Sequence, residues 1–309
     1  MKIKLFINNP KENWVVDNFI NEFKQYTSLE IGNNVFTSNV VWIISPWTWK
    51  TKNNFLLKNK KVVCTVHHID LDKFDSISEE KFKKLDRYID IYHVISDQTE
   101  DTLKKFTTKP TKNIPFWIDQ SKFFYIENKT NLFKKFDLDE NKYFIGSFQR
   151  DSEGFDTSLP KLSKGPDRLL KIINELSKKN NNIHVILSGY RRDFLIHNLK
   201  KMNIEYKYFQ NVNFEELNEL YNILDLYIVS SRVEGGPRAI FESAITKTPI
   251  ISTNVGYASK ILSKNSIFDM QNFHSAIPDV SYAFNKVQEH TLPNGLIKFD
   301  NMLKKLYES

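Results

Sequence analysis

The stretch Asp225-Leu226-Tyr227-Ile228-Val229, followed closely by Glu234-Gly235-Gly236-Pro237-Arg238-Ala239-Ile240-Phe241-Glu242, sets the reading of this chain. The first run is apolar and of strand length. From Pro237 the pattern becomes helical, with proline where a helix tolerates it. The two glycines therefore sit where a strand ends and a helix begins. Backbone N–H groups there lack helical partners and lie at the positive end of the helix dipole, so the turn attracts anionic or hydroxyl-rich ligands. Glu234 is in the turn and Glu242 follows just over two helical turns later, so both can face one ligand. Taken alone, such a pair is more often a cap and a surface residue; the surrounding chain gives it weight.

Strand and helix patterns alternate on both sides of this stretch. Before it, Lys2–Ile7, Val40–Ser45, Val62–His67 and Ile91–Ile95 read as strands, and 13–26, 78–88 and 98–106 as helices. In 13–26, Val16, Phe19, Ile20 and Phe23 recur at helical spacing. The pattern breaks at Pro110 and restarts after Asn141 with the strand Tyr143–Gly146. A helix opening at Pro166, a strand Ile183–Leu187, a helix Phe194–Met202, an Asn213/Glu216 capping pair, a strand Pro249–Ser252 and a last helix Leu296–Tyr307 follow. This alternation predicts an α/β architecture of two doubly wound, Rossmann-like parallel sheets, with ligands at the strands' carboxyl ends. The polar stretch 128–141 places the division at 1–140 and 141–309.

A length of 309 residues fits about two domains. There is no apolar run near the roughly 20 residues of a membrane span, and Met1–Ile7 is too short a pattern for a signal peptide. A single cysteine, Cys64, inside an apolar strand reads as a core residue in a reducing cytoplasm. The net charge is +7, with 22 basic and 19 acidic residues before position 141 and 22 and 18 from there on. An excess spread this evenly argues against a nucleic-acid module. It allows attraction to phosphates and peripheral contact with the inner face of an anionic membrane.

The 234–242 motif, with the following 243–256 segment ending in Gly256, resembles the donor-sugar motif of retaining glycosyltransferases of the GT-B fold, family four. The resemblance covers most of the chain and is strongest over 144–262. It implies two domains facing a cleft, with the last helix returning to the first domain. It also implies a nucleotide-sugar co-substrate of UDP, GDP or ADP type, no metal or other cofactor, and a hexosyltransferase activity on a glycan, lipid-linked or protein acceptor. Residue by residue, it gives Glu234 to the transferred sugar and Glu242 to the ribose, with Gly235, Gly236 and Arg238 at the donor. Arg150 and Lys164 take the diphosphate, across a long insertion, Asp151–Ser163. His67, at a strand end in the first domain, is expected to donate a hydrogen bond to sugar or phosphate and to meet Glu234 only across the closed cleft. Adjacent strand residues face opposite ways, so His68 is the alternative. Gly189 and the Arg191-Arg192 pair, in the turn before the 194–202 helix, are further candidates for the nucleotide, the two arginines reading equally as exposed helix-start cations. The glycine-rich loop common after the first strand is replaced here by Asn8-Asn9-Pro10-Lys11. Two rival readings remain: another GT-B enzyme, such as a phosphorylase or sugar-nucleotide epimerase, and a non-catalytic nucleotide-sugar-binding module.

Overall fold

A computed structural model of the chain describes residues 2–9, 15–154, 157 and 159–309. They form two compact units, Met1–Trp117 with His290–Ser309, and Ile118–Glu289.

The first unit carries β1 (Lys4–Asn8), β2 (Glu30–Ile31), β3 (Val40–Ile43), β4 (Lys61–Val66), β5 (Ile91–Val94) and β6 (Thr111–Asn113), all parallel, in the order β2-β1-β3-β4-β5-β6. Every residue of β3 is buried, as expected of a strand covered on both faces. On one face, α1 (Val15–Tyr26) lays Val16, Phe19, Ile20 and Phe23 against Trp42 and against Phe299 and Leu303 of the C-terminal helix. On the other, α2 (Ser76–Asp86) and α3 (Asp97–Leu103) supply Phe82, Leu85 and Leu103 to a core with Val41, Ile43 and Cys64. Asp75 and Ser96 cap these helices by accepting from Ser78 N and Thr99 N. Cys64 is fully buried, which pushes its thiol pKa far up, so it acts as a core residue. Asn13, where the sequence starts the first helix, and Pro10-Lys11 of the Asn8–Lys11 segment lie outside the described residues.

The second unit carries β7 (Tyr143–Ser147), β8 (Ile183–Ser188), β9 (Glu205–Phe209), β10 (Leu226–Val229), β11 (Ile250–Thr253) and β12 (Ile267–Phe268), parallel, in the order β12-β11-β10-β7-β8-β9. Its helices are α4 (Thr130–Lys135), α5 (Pro166–Ser177), α6 (Asp193–Lys201), α7 (Phe214–Asn222), α8 (Arg238–Ile245), α9 (Ala258–Ile261) and α10 (Val280–Val287); α11 (Asn294–Glu308) belongs to the first unit. Asn213 and Glu216 form the reciprocal capping box at α7. The strand order reverses between β7 and β10, and ligands of open α/β sheets bind at the carboxyl ends of such a pair.

The division between the units falls at Trp117/Ile118, earlier than the 140/141 division read from the sequence. The cause is packing that the polar composition hides. Ile118 and Phe123 are fully buried, and Phe123 meets Phe214 and Tyr221 edge-on. The backbone N–H groups of Phe124 and Ile126 donate to the side chains of Asn218 and Asn222. Within 128–141, Leu132 and Phe136 of the α4 turn also join the second core.

Candidate functional site

At the β7/β10 switch point the loops are tied together through backbone. Gly165 adopts φ +63, and a Cβ there would lie 2.0 Å from the Ser230 carbonyl oxygen. Only glycine lets the chain leading into α5 lie this close to the end of β10. Ser230 Oγ donates to Gly165 O at 2.8 Å and Gln149 Nε2 donates to Lys164 O at 3.0 Å. Arg232 N and Val233 N both donate to Ser163 O, at 2.8 and 3.1 Å. Lys164 is thereby fixed beside the turn that carries Glu234. Its ammonium forms a short ion pair with Glu234 Oε1, to which Ser231 Oγ also donates at 3.1 Å. The Lys164 side chain is 24% exposed and that of Glu234 9%, so the pair is reachable from solvent yet largely desolvated.

Glu242, eight residues on, is not a surface residue but a buried carboxylate within α8. Its Oε2 accepts from Tyr221 Oη at 2.8 Å and its Oε1 from Arg238 Nε, one turn earlier, at 3.1 Å. Burial, with Glu242 beside it, holds the Tyr221 phenol well above its ordinary pKa, so it donates as a neutral group. Gly236 is required by packing: a Cβ would lie 2.2 Å from the ring of Tyr257, whose hydroxyl donates to Pro237 O at 3.0 Å. The turn thus leads rigidly into the N-terminus of α8.

The remaining candidate cations of this unit hold the insertion. Arg150 Nε donates to Ser152 O at 2.7 Å, and Arg191, at φ +56, donates from Nη1 to Gly154 O at 2.9 Å. Gly189, at φ +89, accepts at its carbonyl from Tyr208 Oη at 2.8 Å. Ser152 bridges to Pro160, so the described part of the insertion forms a small antiparallel ribbon; Phe155, Asp156 and Ser158 lie outside the described residues.

Arg192, which the sequence offers beside Arg191 in the same turn, is instead a sealed structural cation. It is 1% exposed and donates to Gln149 O, Ser188 O and Ser147 Oγ. Its Nε lies 2.9 Å from Asp151 Oδ2, close enough to pair in charge but off the hydrogen-bonding axis. Burial raises the Asp151 carboxyl to about 6 against the pull of Arg192. Tyr221, Gln149 and Ser231 also escaped the sequence reading. Ser231, two residues past β10, was within reach of it; Tyr221, on the preceding helix, carried no local signal.

In the first unit, His67 follows β4 and is half-buried, with its ring stacked on Phe116 and tilted against Trp47. Burial lowers its pKa to about 4, opposed by the Ile44 carbonyl and aided by neighbouring His68. Its Nε2 lies 3.0 Å from Ile44 O. A carbonyl can only accept, which assigns the proton to Nε2 and leaves Nδ1 as an acceptor. This corrects the expectation that His67 donates to a ligand: its one N–H is committed to backbone. His68 is exposed and lines a cavity of about 610 Å³. A third histidine, His93, is fully buried in β5 and closes a directional chain. Trp42 Nε1 donates to Thr65 Oγ1, which donates to His93 Nδ1, while His93 Nε2 donates to Ile114 O. Among the described residues no three His, Cys, Asp or Glu side chains gather where they could hold a metal ion, and no helix is long and apolar enough to cross a membrane.

Two six-stranded parallel sheets flanked by helices, with a glutamate-bearing Gly-Gly turn at the second sheet's switch point, define the GT-B class of glycosyltransferases. Residues 128–281 match the family model of glycosyl transferases group 1, and the chain belongs to that family through its second unit. The fold is similar to that of HepE from Anabaena, crystallised with UDP and glucose, at 11% identity over 99% of this chain and 100% of that one, TM-score 0.77. It is also similar to that of sucrose-phosphate synthase from Thermosynechococcus elongatus, at 15% identity over 95% of this chain and 77% of that one, TM-score 0.71. A curated relative, uncharacterized protein 356 of Sulfolobus islandicus rod-shaped virus 1, is 37% identical over 97 residues, 30% of this chain. The match spans a quarter of that relative's length.

Proposed function

We propose that the protein is a retaining, metal-independent glycosyltransferase. It takes a hexose from a nucleotide-diphosphate donor and passes it to a glycan, lipid-linked or protein acceptor. The observation that carries this reading is the Lys164–Glu234 pair at the β7/β10 switch point, immediately ahead of α8. Breaking the bond between the anomeric carbon and the diphosphate oxygen leaves negative charge on the nucleotide. A fixed ammonium and a helix N-terminus stabilise such charge without reorganising. Glu234 accepts from the sugar hydroxyls, steadies positive charge developing at the anomeric carbon, and orients Lys164. The acceptor oxygen bonds to that carbon on the face the phosphate leaves, and its proton passes to the leaving phosphate. Glu242 takes the ribose hydroxyls: a carboxylate offers about four lone-pair sites, and Tyr221 and Arg238 occupy two of them. His67, neutral, serves the first unit as an acceptor through Nδ1.

The UDP and glucose held by HepE, a protein of this fold, support a UDP-type donor. The buried, unpaired Cys64 fits a reducing cytoplasm, and the first unit's lysines fit peripheral contact with an anionic membrane.

The test is a thermal-shift screen with UDP-, GDP- and ADP-sugars, followed by donor hydrolysis in the presence of EDTA and by NMR of the product's anomeric configuration. One nucleotide sugar should raise the melting temperature and be turned over with retention. A donor that binds but is never cleaved by protein supplied with acceptor extracts would favour the binding module; phosphate-dependent turnover would favour a phosphorylase. Inversion, or loss of turnover in EDTA, would sink the corresponding part of the reading.

A further inference from the structure

The cavity of about 610 Å³ in the first unit lies within the range of small-molecule sites. It opens beyond the carboxyl ends of β3 and β4, between residues 46–54 and α2, and its walls include Trp47, Trp49, Phe74 and Phe82. The walls are pre-set. Asn54 is buried, accepts from Trp49 Nε1 at 3.2 Å and donates to Lys84 O at 3.0 Å, which ties the irregular 46–57 segment to α2. Lys50, Lys73 and Lys81 line the cavity against one carboxylate, Asp70. The glutamates of α2 pair with Lys83 and Lys84 one turn on, and Lys81 acts instead on the Asp75 carboxylate at the helix N-cap. Trp47 is itself more than half exposed, as are Phe55, Leu71 and Ile77, the sequence neighbours of the lining residues Asn54, Asp70 and Ser78. A large aromatic ring left in water on the wall of a cavity marks a binding surface.

We propose that this cavity binds an anionic amphiphile, a molecule with an apolar body and a phosphate-type head, and that this is the acceptor side of the reaction. The aromatic walls, with the exposed Trp47 among them, take the body. The three lysines take the head, as ammonium groups do for phosphate. A lipid-linked acceptor has this chemistry. The acceptor role rests on the glycosyl-transfer reading; the binding does not.

All five tryptophans fall in the first unit and two line the cavity, so intrinsic fluorescence reports on it. The full-length protein is titrated with dodecyl phosphate below its micellar concentration, with dodecyl maltoside, and with inorganic phosphate. Dodecyl phosphate should shift the emission at the lowest concentration. The double reversal Lys73→Glu with Lys81→Glu should weaken it by at least about tenfold. Lys200→Glu, in the other unit, should leave it unchanged and so corrects for net charge. Equal binding of dodecyl maltoside would reduce the cavity to apolar adhesion and overturn the proposal. Inorganic phosphate binding as tightly as dodecyl phosphate would make it a free-phosphate site and overturn it too. Should the double variant lose its fold, Trp47→Ala, at an exposed wall, must weaken dodecyl phosphate in its place. Wild-type protein that binds dodecyl phosphate yet neither binds nor cleaves any nucleotide sugar would sink the glycosyl-transfer reading and leave the cavity standing.

Discussion

Beyond the carboxyl end of the second sheet, the charged side chains answer one another: Lys164 with Glu234, Arg238 with Glu242, Arg192 with Asp151. In the first unit, beyond β3 and β4, the lining of the cavity sets three lysines against one carboxylate among aromatic rings. A site of mutually paired charges has its geometry fixed before a ligand arrives, and a ligand must displace or join an existing pair. A site with an excess of one sign selects by charge and shape. Within the second unit the same contrast recurs at smaller scale. Arg192 is sealed in, with both terminal nitrogens donating to protein oxygens, whereas Lys164 keeps part of its surface in water. Cations alike in sequence therefore divide into a sealed and a solvent-reachable class by burial.

The largest expected effect breaks or confirms that division. Arg192→Met should destabilise the second unit by about 3–5 kcal/mol, because it strands a buried Asp151 and three acceptors. Lys164→Met, at a partly exposed pair, should cost about 1 kcal/mol or less. Chemical denaturation followed by circular dichroism compares them. Equal costs would abolish the distinction between the two cations.

Next in size is turnover. Glu234→Ala should lower kcat on the identified donor about 10²–10³-fold, the scale for removing one charge-stabilising group. It should leave UDP affinity nearly intact, because Lys164 keeps its ammonium. Full turnover in this variant would mean that the Lys164–Glu234 pair is structural like Arg192. Affinity itself sharpens the comparison further. Lys164→Ala should weaken UDP by about 1.5–3 kcal/mol in calorimetry. Glu242→Gln should weaken it comparably while melting higher than Glu242→Ala, which leaves Tyr221 Oη and Arg238 unanswered. Unchanged UDP affinity in both Lys164→Ala and Glu242→Gln would remove the donor assignment.

Much of this was legible in the chain. The sheets and the β7/β10 turn follow from apolar runs and Gly-Pro punctuation, whereas the roles offered to Lys164, Glu234 and Glu242 come from the family resemblance. What escaped was whatever depends on contacts distant in sequence. Tyr221 reaches Glu242 from another helix, and Arg192 looked like an exposed helix-start cation until β7 and its insertion closed over it. The 118–140 segment read as the end of the first domain because its few buried aromatics are diluted among polar residues. The lysine-rimmed cavity gave no signal, since Trp47, Lys50, Lys73 and Lys81 lie on separate elements and share no motif. His67 was visible as a residue, but its proton was not: only the Ile44 carbonyl decides it.

The smallest effect expected is a difference in acid response between the units. In the first unit burial lowers His67 to about 4 and His93 to about 3, from an ordinary 6.5. Below 6.5 the unfolded chain takes up protons that the folded unit refuses. Their contribution to stability is therefore complete above 6.5 and is lost as pH falls toward those values. Between pH 6.5 and 5.5 the loss is about 1 kcal/mol per histidine, in a window where ordinary carboxylates stay ionised. In the second unit the sign is reversed at Asp151, raised from 3.8 to about 6 by burial. There the folded unit keeps a proton that the unfolded chain has released, so this contribution is present below 3.8 and lost as pH rises through about 6. Tryptophan emission follows the first unit alone, and far-ultraviolet circular dichroism follows both. Acidification from 6.5 to 5.5 should lower the tryptophan-detected melting temperature more than the dichroism-detected one, and Asp151→Asn should widen no gap below pH 4. A tryptophan-detected transition indifferent to pH in that window would mean that His67 and His93 are not held neutral by the fold, and the Nδ1 acceptor assigned to His67 would fall with it.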